Sequence, residues 1–300
     1  MPEVFIIGPG RVGKTLALRH KQMGDPVCLF GRQSGDWQQW AKENQIKPLI
    51  GSIELPHNAS LIFCVQDDEL SVSIEEWRLS IQAAVSSLNN SESGDLLLVH
   101  TSGFHGLDIF EIPSDHLSSQ ICLAALHPVL NFGSPEETLQ RLSRSAITAL
   151  TLGENSTAQK LVKTWGGDWL PMDSNVDRHQ YHLALSLAAN HLTELISRAV
   201  HHLHPSLGDH APRLVYQLAA AALDACKQSS PENALTGPVI RGDLATLQAH
   251  FHALPQEEKP LHLMEVQALL KLANRSGRLS QVQSEAISDW LKKALGSLDS

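Results

Sequence analysis

The sequence predicts an α/β domain with a parallel sheet, followed by a domain built only of helices. Short apolar runs alternate with helical patterns through the first half of the 300 residues, and no run typical of a strand follows Pro171. A glycine-rich segment comes directly after the first run. A chain of this length suits two domains, and we expect them to span residues 1–172 and 173–300.

The strands are predicted from continuous apolar runs at residues 4–8, 26–30, 61–65, 96–99, 122–126 and 146–152. Helical patterns separate the first three of these runs, at residues 11–23 and 37–44. Continuous apolar strands separated by helices indicate a parallel sheet covered on both faces. The later helices are expected at residues 176–203, 212–228, 238–253, 261–274 and 281–295.

Composition excludes several classes of partner. The net charge of -9 argues against binding to nucleic acid, which calls for a basic surface. No uncharged apolar segment of about 18 residues is present, and the start of the chain lacks a signal pattern, so we expect a cytoplasmic protein without a membrane segment. The scattered cysteines and histidines lack metal-ligand spacing, so we expect reduced thiols and no metal site.

The glycine-rich segment has the pattern GxGxxG, formed by Gly8, Gly10 and Gly13. In dinucleotide-binding folds, the first glycine makes a tight turn, the second admits the pyrophosphate and the third lets the helix pack on the strand. The phosphates then bind at the helix N-terminus, here with the main chain of Arg11 and Val12. The pattern therefore predicts a dinucleotide site.

The same segment, extended through Lys14 and Thr15, also fits the phosphate loop of nucleotide hydrolases. The helical pattern already begins near Arg11, which leaves little room for a long loop. We therefore favour a dinucleotide, and magnesium-dependent nucleotide hydrolysis is the alternative.

The residues after the second strand indicate which dinucleotide binds. An NAD enzyme usually has an acidic residue there for the ribose hydroxyl. This chain has Arg32 and Ser34 instead, which suit a 2′-phosphate, so we predict NADP. We expect Val65 and Ser102, at the ends of later strands, to line the same site.

Candidate groups for proton transfer come from a strand end and from the first helix after the boundary. His127 closes the fifth predicted strand, while His182 and Asn190 lie on one face of that helix. Histidine can act as a general acid near neutral pH; packing between domains is the alternative role for the helix residues. Arg241 could bind a substrate carboxylate or pair with Asp243.

These motifs resemble those of an uncharacterised bacterial family that pairs a Rossmann-like domain with a C-terminal domain of unknown function. The resemblance rests on the glycine segment and on HTSG, LHP, YH through Asn190, and LTGP through RGD, at residues 100–103, 126–128, 181–190 and 235–243. That family is similar to pyrroline-5-carboxylate reductase and, more distantly, to the 6-phosphogluconate dehydrogenase superfamily.

The resemblance implies an NADP-linked reductase that dimerises through its helical domain, with Thr236 lining the substrate site. Hydroxyacid dehydrogenases of the superfamily carry a lysine and an asparagine four residues apart on the interdomain helix; here His182 and Asn190 are eight apart and that lysine is missing. We therefore expect an NADP-dependent oxidoreductase for a small imine, ketone or alcohol bearing a carboxylate. The alternative is a non-catalytic NADP sensor or partner-binding protein.

Overall fold

The computed structural model describes residues 3–56, 58–89, 95–112, 120–153 and 155–298. The chain divides into two compact units, Met1–His191 and Leu192–Ser300. The first is α/β and the second is all-helical, which confirms the predicted fold class.

Within the described residues, eight strands of the first unit form one sheet in the order β3-β2-β1-β4-β5-β6-β7-β8. The strands are β1 Glu3–Ile7, β2 Val27–Gly31, β3 Lys47–Ile50, β4 Asn58–Phe63, β5 Asp95–His100, β6 Ile121–Pro128, β7 Ala146–Leu152 and β8 Asp168–Pro171. The order reverses between β1 and β4, so the carboxyl ends of these two strands flank a crevice.

The expectation of a parallel sheet is wrong for one pair of strands. β6 and β7 run antiparallel, while every other described pair is parallel. A continuous apolar run reports that a strand is buried on both faces, but it carries no information on direction. The short strands β3 and β8 were also missing from the prediction. They form the two edges of the sheet, and each contains a proline, which edge strands tolerate.

In the part of the first unit that the structure describes, six helices cover the two faces of this sheet: α1 Arg11–Met23, α2 Asp36–Glu43, α3 Leu70–Glu76, α4 Arg78–Asn89, α5 Pro135–Leu142 and α6 Ser156–Trp165. Residues of α1, α2, α5 and α6 share one buried cluster with Val4 and Ile6 of β1. Residues of α3 and α4 share the other with Phe5 and Ile7. Alternate residues of one strand thus enter different cores, as a sheet covered on both faces requires.

The first unit ends with α7, Arg178–Ser186, and a π-helical turn, Leu187–His191. The division therefore lies further along the chain than the predicted boundary at residues 172/173. The reason is that Arg178, in the first turn of α7, is buried and hydrogen-bonded to the loop that follows β5. The helix expected to open the second domain packs with the first unit instead.

The second unit contains α8 Leu192–Leu207, α9 Ala211–Gln228, α10 Pro231–Ala234, α11 Pro238–Arg241, α12 Leu244–Ala253, α13 Lys259–Arg275 and α14 Gln281–Gly296. The helix predicted at 238–253 is two helices, since Gly242 turns with a φ of 67° and Asp243 caps α12. The core of this unit is built by α11 to α14. In the described part of the chain, no helix has the length and apolarity needed to cross a membrane.

Candidate functional site

The glycine segment forms a tight connection between β1 and α1. Gly8 has a φ of 103°, and a Cβ on it would lie 2.6 Å from the carbonyl oxygen of Cys64. A Cβ on Gly13 would overlap the carbonyl oxygen of Gly8. A Cβ on Gly10 would meet no heavy atom within 4 Å. Packing therefore requires the first and third glycines, whereas the second borders open space.

The N-terminus of α1 has donors available for an anion. Gly10 is the residue before the helix, and no side chain caps it. The first hydrogen bond of the helix runs from Lys14 N to Gly10 O, at 2.9 Å. The N–H groups of Arg11, Val12 and Gly13 precede that bond, and such donors together with the helix dipole favour phosphate.

A cavity of about 570 Å³ opens beside this terminus, between the carboxyl ends of β1 and β4. This is the crevice where the strand order reverses, and ligands of open α/β sheets bind at such a point. The cavity is lined by the glycine loop, the end of β2 and the segment after β4, including Gly8, Pro9, Gly10, Gly31, Arg32, Val65, Gln66, Glu69, Ser73 and Glu76.

Lys14 does not occupy the position of a phosphate-loop lysine. The helix already begins at Arg11, and the Lys14 Nζ atom lies 5.0 Å from the ring centroid of Trp40 in α2. In a phosphate loop the lysine follows a long loop and reaches the phosphates. The geometry disfavours the hydrolase alternative.

Arg32 lies on the cavity wall and is surrounded by acidic and polar groups that sequence reasoning missed. Its Nη1 is 2.6 Å from Glu69 Oε2 and its Nε is 2.7 Å from Glu76 Oε1. Its Nη2 donates to Ser73 Oγ at 3.4 Å. Ser34 is exposed in the turn before α2. Sequence reasoning did not connect Glu69, Ser73 and Glu76 with Arg32, because the segment that carries them comes next to the end of β2 only in the folded sheet.

A second group of side chains gathers at the end of β6. The register pairs His127 with Thr148 of β7. The hydroxyl of Tyr181, on α7, lies 2.7 Å from His127 Nδ1 and 2.8 Å from Thr148 Oγ1. A Cβ on Gly103 would lie 3.1 Å from ring carbons of both His127 and His182. The rings of His127 and His182 therefore both lie beside Gly103.

Electrostatics keep the ring of His127 neutral. Burial, and secondarily the positive charge of Arg178, lowers the pKa of His127 to about 4. A neutral imidazole has one donor and one acceptor nitrogen. Because one nitrogen faces Tyr181, the other is available toward the Gly103 loop.

Arg178 hydrogen-bonds to the loop that contains Gly103. Its Nη2 donates to Ser102 O at 2.6 Å and its Nε donates to His105 O at 3.1 Å. Its guanidinium lies 5.1 Å from the ring centroid of Tyr181. Among the described residues, no carboxylate forms an ion pair with this buried arginine. Burial lowers the pKa of Arg178, while Tyr181 and the charge of Asp67 act in the opposite direction. Sequence reasoning did not identify this arginine.

The other predicted residues of the first unit have varied surroundings. Val65 lines the cavity beside Gly8. Ser102 is buried, and its hydroxyl accepts hydrogen bonds from the N–H groups of Phe104 and His105, both at 3.0 Å. Asn190 is exposed in the π-helical turn. The cofactor role of Ser102 and the catalytic role of Asn190 stay predictions.

Thr236 and Arg241 belong to the second unit, where the turns around them have structural explanations. Gly237, with a φ of 98°, precedes α11, and Pro238 begins it. Arg241 is exposed, and its Nη2 lies 3.9 Å from Asp243 Oδ2. Thr236 is exposed as well. Their substrate roles stay predictions.

The cysteines are present as free thiols. Cys28, Cys64 and Cys122 are free and buried, and Cys226 is free and half-buried. Within the described ranges, no three histidine, cysteine or acidic side chains are grouped as metal ligands.

Comparison with known proteins tests the expected resemblance. Residues 144–268 match the family model of a domain of unknown function, DUF2520. This match confirms the expected resemblance to a family with such a domain. No curated protein is significantly similar in sequence.

Solved structures share the fold over nearly the whole chain. A protein from Thermotoga maritima is 21% identical, with a TM-score of 0.59 over 91% of this chain and 98% of its own. A candidate NADP oxidoreductase from Bacteroides fragilis is 18% identical, with a TM-score of 0.66 over 89% and 97%. Plasmodium falciparum pyrroline carboxylate reductase, with NADP bound, is 14% identical, with a TM-score of 0.53 over 98% and 99%. At these identities the likeness establishes the Rossmann-like fold.

Proposed function

We propose that this chain is an NADP-dependent oxidoreductase acting on a small imine, ketone or alcohol that bears a carboxylate. The observation that carries the proposal is the open space at Gly10, beside an uncapped helix terminus at the point where the strand order reverses. The pyrroline carboxylate reductase that shares this fold is described with NADP bound, so this cofactor is the first to test.

The described residues fit a nicotinamide dinucleotide. The main chain of Arg11 and Val12, with the three glycines of the segment, would hold the pyrophosphate. Arg32 and Ser34 would contact the phosphorylated ribose, and Val65 and Ser102 would line the path toward the nicotinamide. When bound, the nicotinamide exchanges a hydride with the substrate carbon.

His127 is the proposed proton donor. If the Tyr181 hydroxyl donates to Nδ1, the proton of the neutral ring lies on Nε2, the nitrogen nearer to the Gly103 loop. From there it can pass to an oxygen or nitrogen that gains negative charge on hydride transfer, while Nδ1 takes up the proton of the Tyr181 hydroxyl, so that the ring stays neutral and a tyrosinate remains. In the reverse direction the two protons move back, from the substrate to Nε2 and from Nδ1 to the Tyr181 oxygen. Thr148 can complete this arrangement by donating its own hydroxyl proton to the Tyr181 oxygen.

The substrate is proposed to be anionic because the buried guanidinium of Arg178, which has no ion-pair partner among the described residues, donates to the loop that contains Gly103. A positive charge in a low-dielectric surrounding attracts an anion more strongly than it does in water. His182 and Asn190 are proposed to bind the reacting group from α7 and the turn after it. Thr236 and Arg241 are proposed to bind the substrate as well, since both are exposed.

We also propose that the protein is a homodimer through the helical unit. Helix α8 has no buried residue, and α9 buries only Ala211. Large apolar side chains of both helices are exposed, and an exposed apolar surface of this kind is typical of an interface. They are Leu192, Leu195, Leu207, Leu214, Tyr216, Leu218 and Leu223.

Sedimentation of a charged variant tests the dimer. Leu218, on α9, is 73% exposed, so Leu218→Asp should produce monomers without unfolding the chain. Leu79→Asp is the matched control, because Leu79 is 82% exposed on α4. A monomeric wild-type protein would exclude the dimer.

Calorimetry with NADP and NADPH tests the cofactor site. Gly10→Ala adds one methyl group in open space, so the protein should fold normally while nucleotide affinity falls at least about tenfold, because the pyrophosphate approaches the backbone there. Gly296→Ala, also in open space, is the control and should bind as wild type does. A wild-type protein that binds no nicotinamide nucleotide would overturn the proposal.

Turnover separates the enzyme from a non-catalytic nucleotide sensor. Oxidation of NADPH should be measured with a panel of imines and oxo acids, and reduction of NADP with hydroxy acids. His127→Ala should abolish any turnover found while leaving nucleotide binding intact. Tight nucleotide binding without turnover on the whole panel would favour the sensor.

A further inference from the structure

Three side chains on one face of a helical segment surround Arg32. Glu69 ends a short 3-10 helix, Asp67–Glu69, which continues directly into α3. Ser73 and Glu76 follow at intervals of four and three residues, a spacing that places side chains along one side of a helix. All three contact the guanidinium: Glu69 Oε2 at 2.6 Å, Glu76 Oε1 at 2.7 Å and Ser73 Oγ at 3.4 Å.

These groups make this part of the cavity wall acidic rather than basic. Arg32, Glu69 and Glu76 all line the cavity beside the glycine loop. One guanidinium and two carboxylates carry a net charge of about -1 at neutral pH. The arginine that marked the sequence as NADP-binding is therefore more than neutralised by its neighbours.

A ribose with a 2′-phosphate and a ribose with a free 2′-hydroxyl would interact differently with these acidic groups. A phosphate group carries a charge of about -1.5 to -2 at neutral pH. It would gain the guanidinium donors that Glu69, Ser73 and Glu76 leave free, but it would approach two carboxylates at the same time. A ribose with a free 2′-hydroxyl carries no charge there, and its hydroxyl can donate to a carboxylate.

We propose that Glu69 and Glu76 determine how well this site discriminates between a 2′-phosphate and a 2′-hydroxyl, by holding Arg32 and opposing the phosphate charge. The inference rests on the proposed function, since it concerns the cofactor of that site. It implies that the wild-type protein binds NADP and NAD with a smaller difference than Arg32 alone would produce.

The position of the carboxylates is set by packing and not by their contact with Arg32. Leu70 and Ile74 anchor α3 in the buried cluster that contains Phe5 and Ile7, and Ser73 is buried as well. Replacing one carboxylate by an amide should therefore leave the helix and the position of Arg32 in place. Glutamine keeps an oxygen that accepts from the guanidinium while its charge is lost.

Calorimetry with adenosine fragments tests the proposal independently of catalysis. The probes are 2′,5′-ADP, which has the additional phosphate, and 5′-AMP, which lacks it. Glu69→Gln and Glu76→Gln should each tighten binding of 2′,5′-ADP about three- to fivefold, as removal of one nearby charge predicts, and the double variant should gain more. Binding of 5′-AMP should change less than about twofold.

Glu75→Gln is the matched control. Glu75 lies on the same helix but pairs with Arg78, so its replacement should leave the preference between the probes unchanged. Thermal melting of each variant verifies that it is folded.

The outcomes separate the two proposals. If the wild-type protein binds the probes and their affinity ratio is the same in both single variants and the double variant, this inference is wrong while the proposed function stands. If neither the wild type nor any variant binds either probe, NADP or NAD, the proposed function fails and this inference with it.

Discussion

Two arginines on the carboxyl side of the sheet differ in how their charge is balanced. The side chain of Arg32 is 44% exposed and contacts two carboxylates. Arg178 is only 7% exposed and donates to two carbonyl oxygens. Water screens the first charge, so its partners can tune ligand binding at little cost in stability. The second charge is part of the scaffold, and it leaves a positive potential beside His127.

The largest expected effect comes from removing the buried arginine. Arg178→Met should lower the free energy of unfolding by about 2–4 kcal/mol, because two carbonyl oxygens lose their donors inside the protein. Arg32→Met should cost clearly less, since its ion pairs are exposed to water. Urea denaturation of both variants measures the difference. Equal losses of unfolding free energy in the two variants would contradict the conclusion that Arg178 supports the structure while Arg32 acts mainly on ligand binding.

The burial of His127, together with the nearby positive charge of Arg178, should also be visible in the pH dependence of stability. The folded chain resists protonation of His127 until its pKa of about 4, whereas the unfolded chain takes up the proton near 6.5. The stability that the neutral ring contributes is therefore complete above pH 6.5 and is lost as pH falls toward 4. Between pH 7 and pH 5, wild type should lose about 2 kcal/mol relative to His127→Asn.

Urea denaturation of both proteins at the two pH values measures this relative loss. Subtracting the variant removes the contribution of carboxylates that titrate in the same range. A constant difference between the two proteins would show that the pKa of His127 is not lowered.

A smaller effect is expected where the hydroxyl of Tyr181 joins His127 and Thr148. Tyr181→Phe should lower the free energy of unfolding by about 1–2 kcal/mol, because two half-buried groups lose a hydrogen-bond partner. Ser71→Ala is the control; Ser71 is exposed on α3, and the loss of its hydroxyl should change the free energy of unfolding by less than about 0.5 kcal/mol. Identical unfolding midpoints for both variants would refute a structural link through Tyr181.

The smallest expected effect concerns the carboxylates around Arg32. Glu76→Gln should change the free energy of unfolding by less than about 0.5 kcal/mol, since exposed ion pairs contribute little and the amide keeps one hydrogen bond. Urea midpoints measure it. A loss above about 2 kcal/mol would mean that the contact belongs to the scaffold, as that of Arg178 does.

Apolar patterning predicted the six central strands of the first unit and its first two helices, but not α3 to α6. The strands of the sheet centre are continuous apolar runs, and their burial on both faces follows from that composition. The edge strands β3 and β8 were not predicted, because half-exposed segments that contain proline lack such an apolar run. The end of the first unit was also missed, since the patterning of α7 is helical whether it packs with one unit or the other.

The sequence by itself determined the features whose causes are local. The glycine segment specifies its turn within six residues, and the end of β2 places Arg32 beside the cavity. Only the tertiary structure decided the partners of these residues. Glu69 is 37 positions from Arg32, Tyr181 is 54 from His127, and Arg178 is 76 from Ser102. Such contacts depend on strand order and helix packing, which bring distant segments together and which no local pattern encodes.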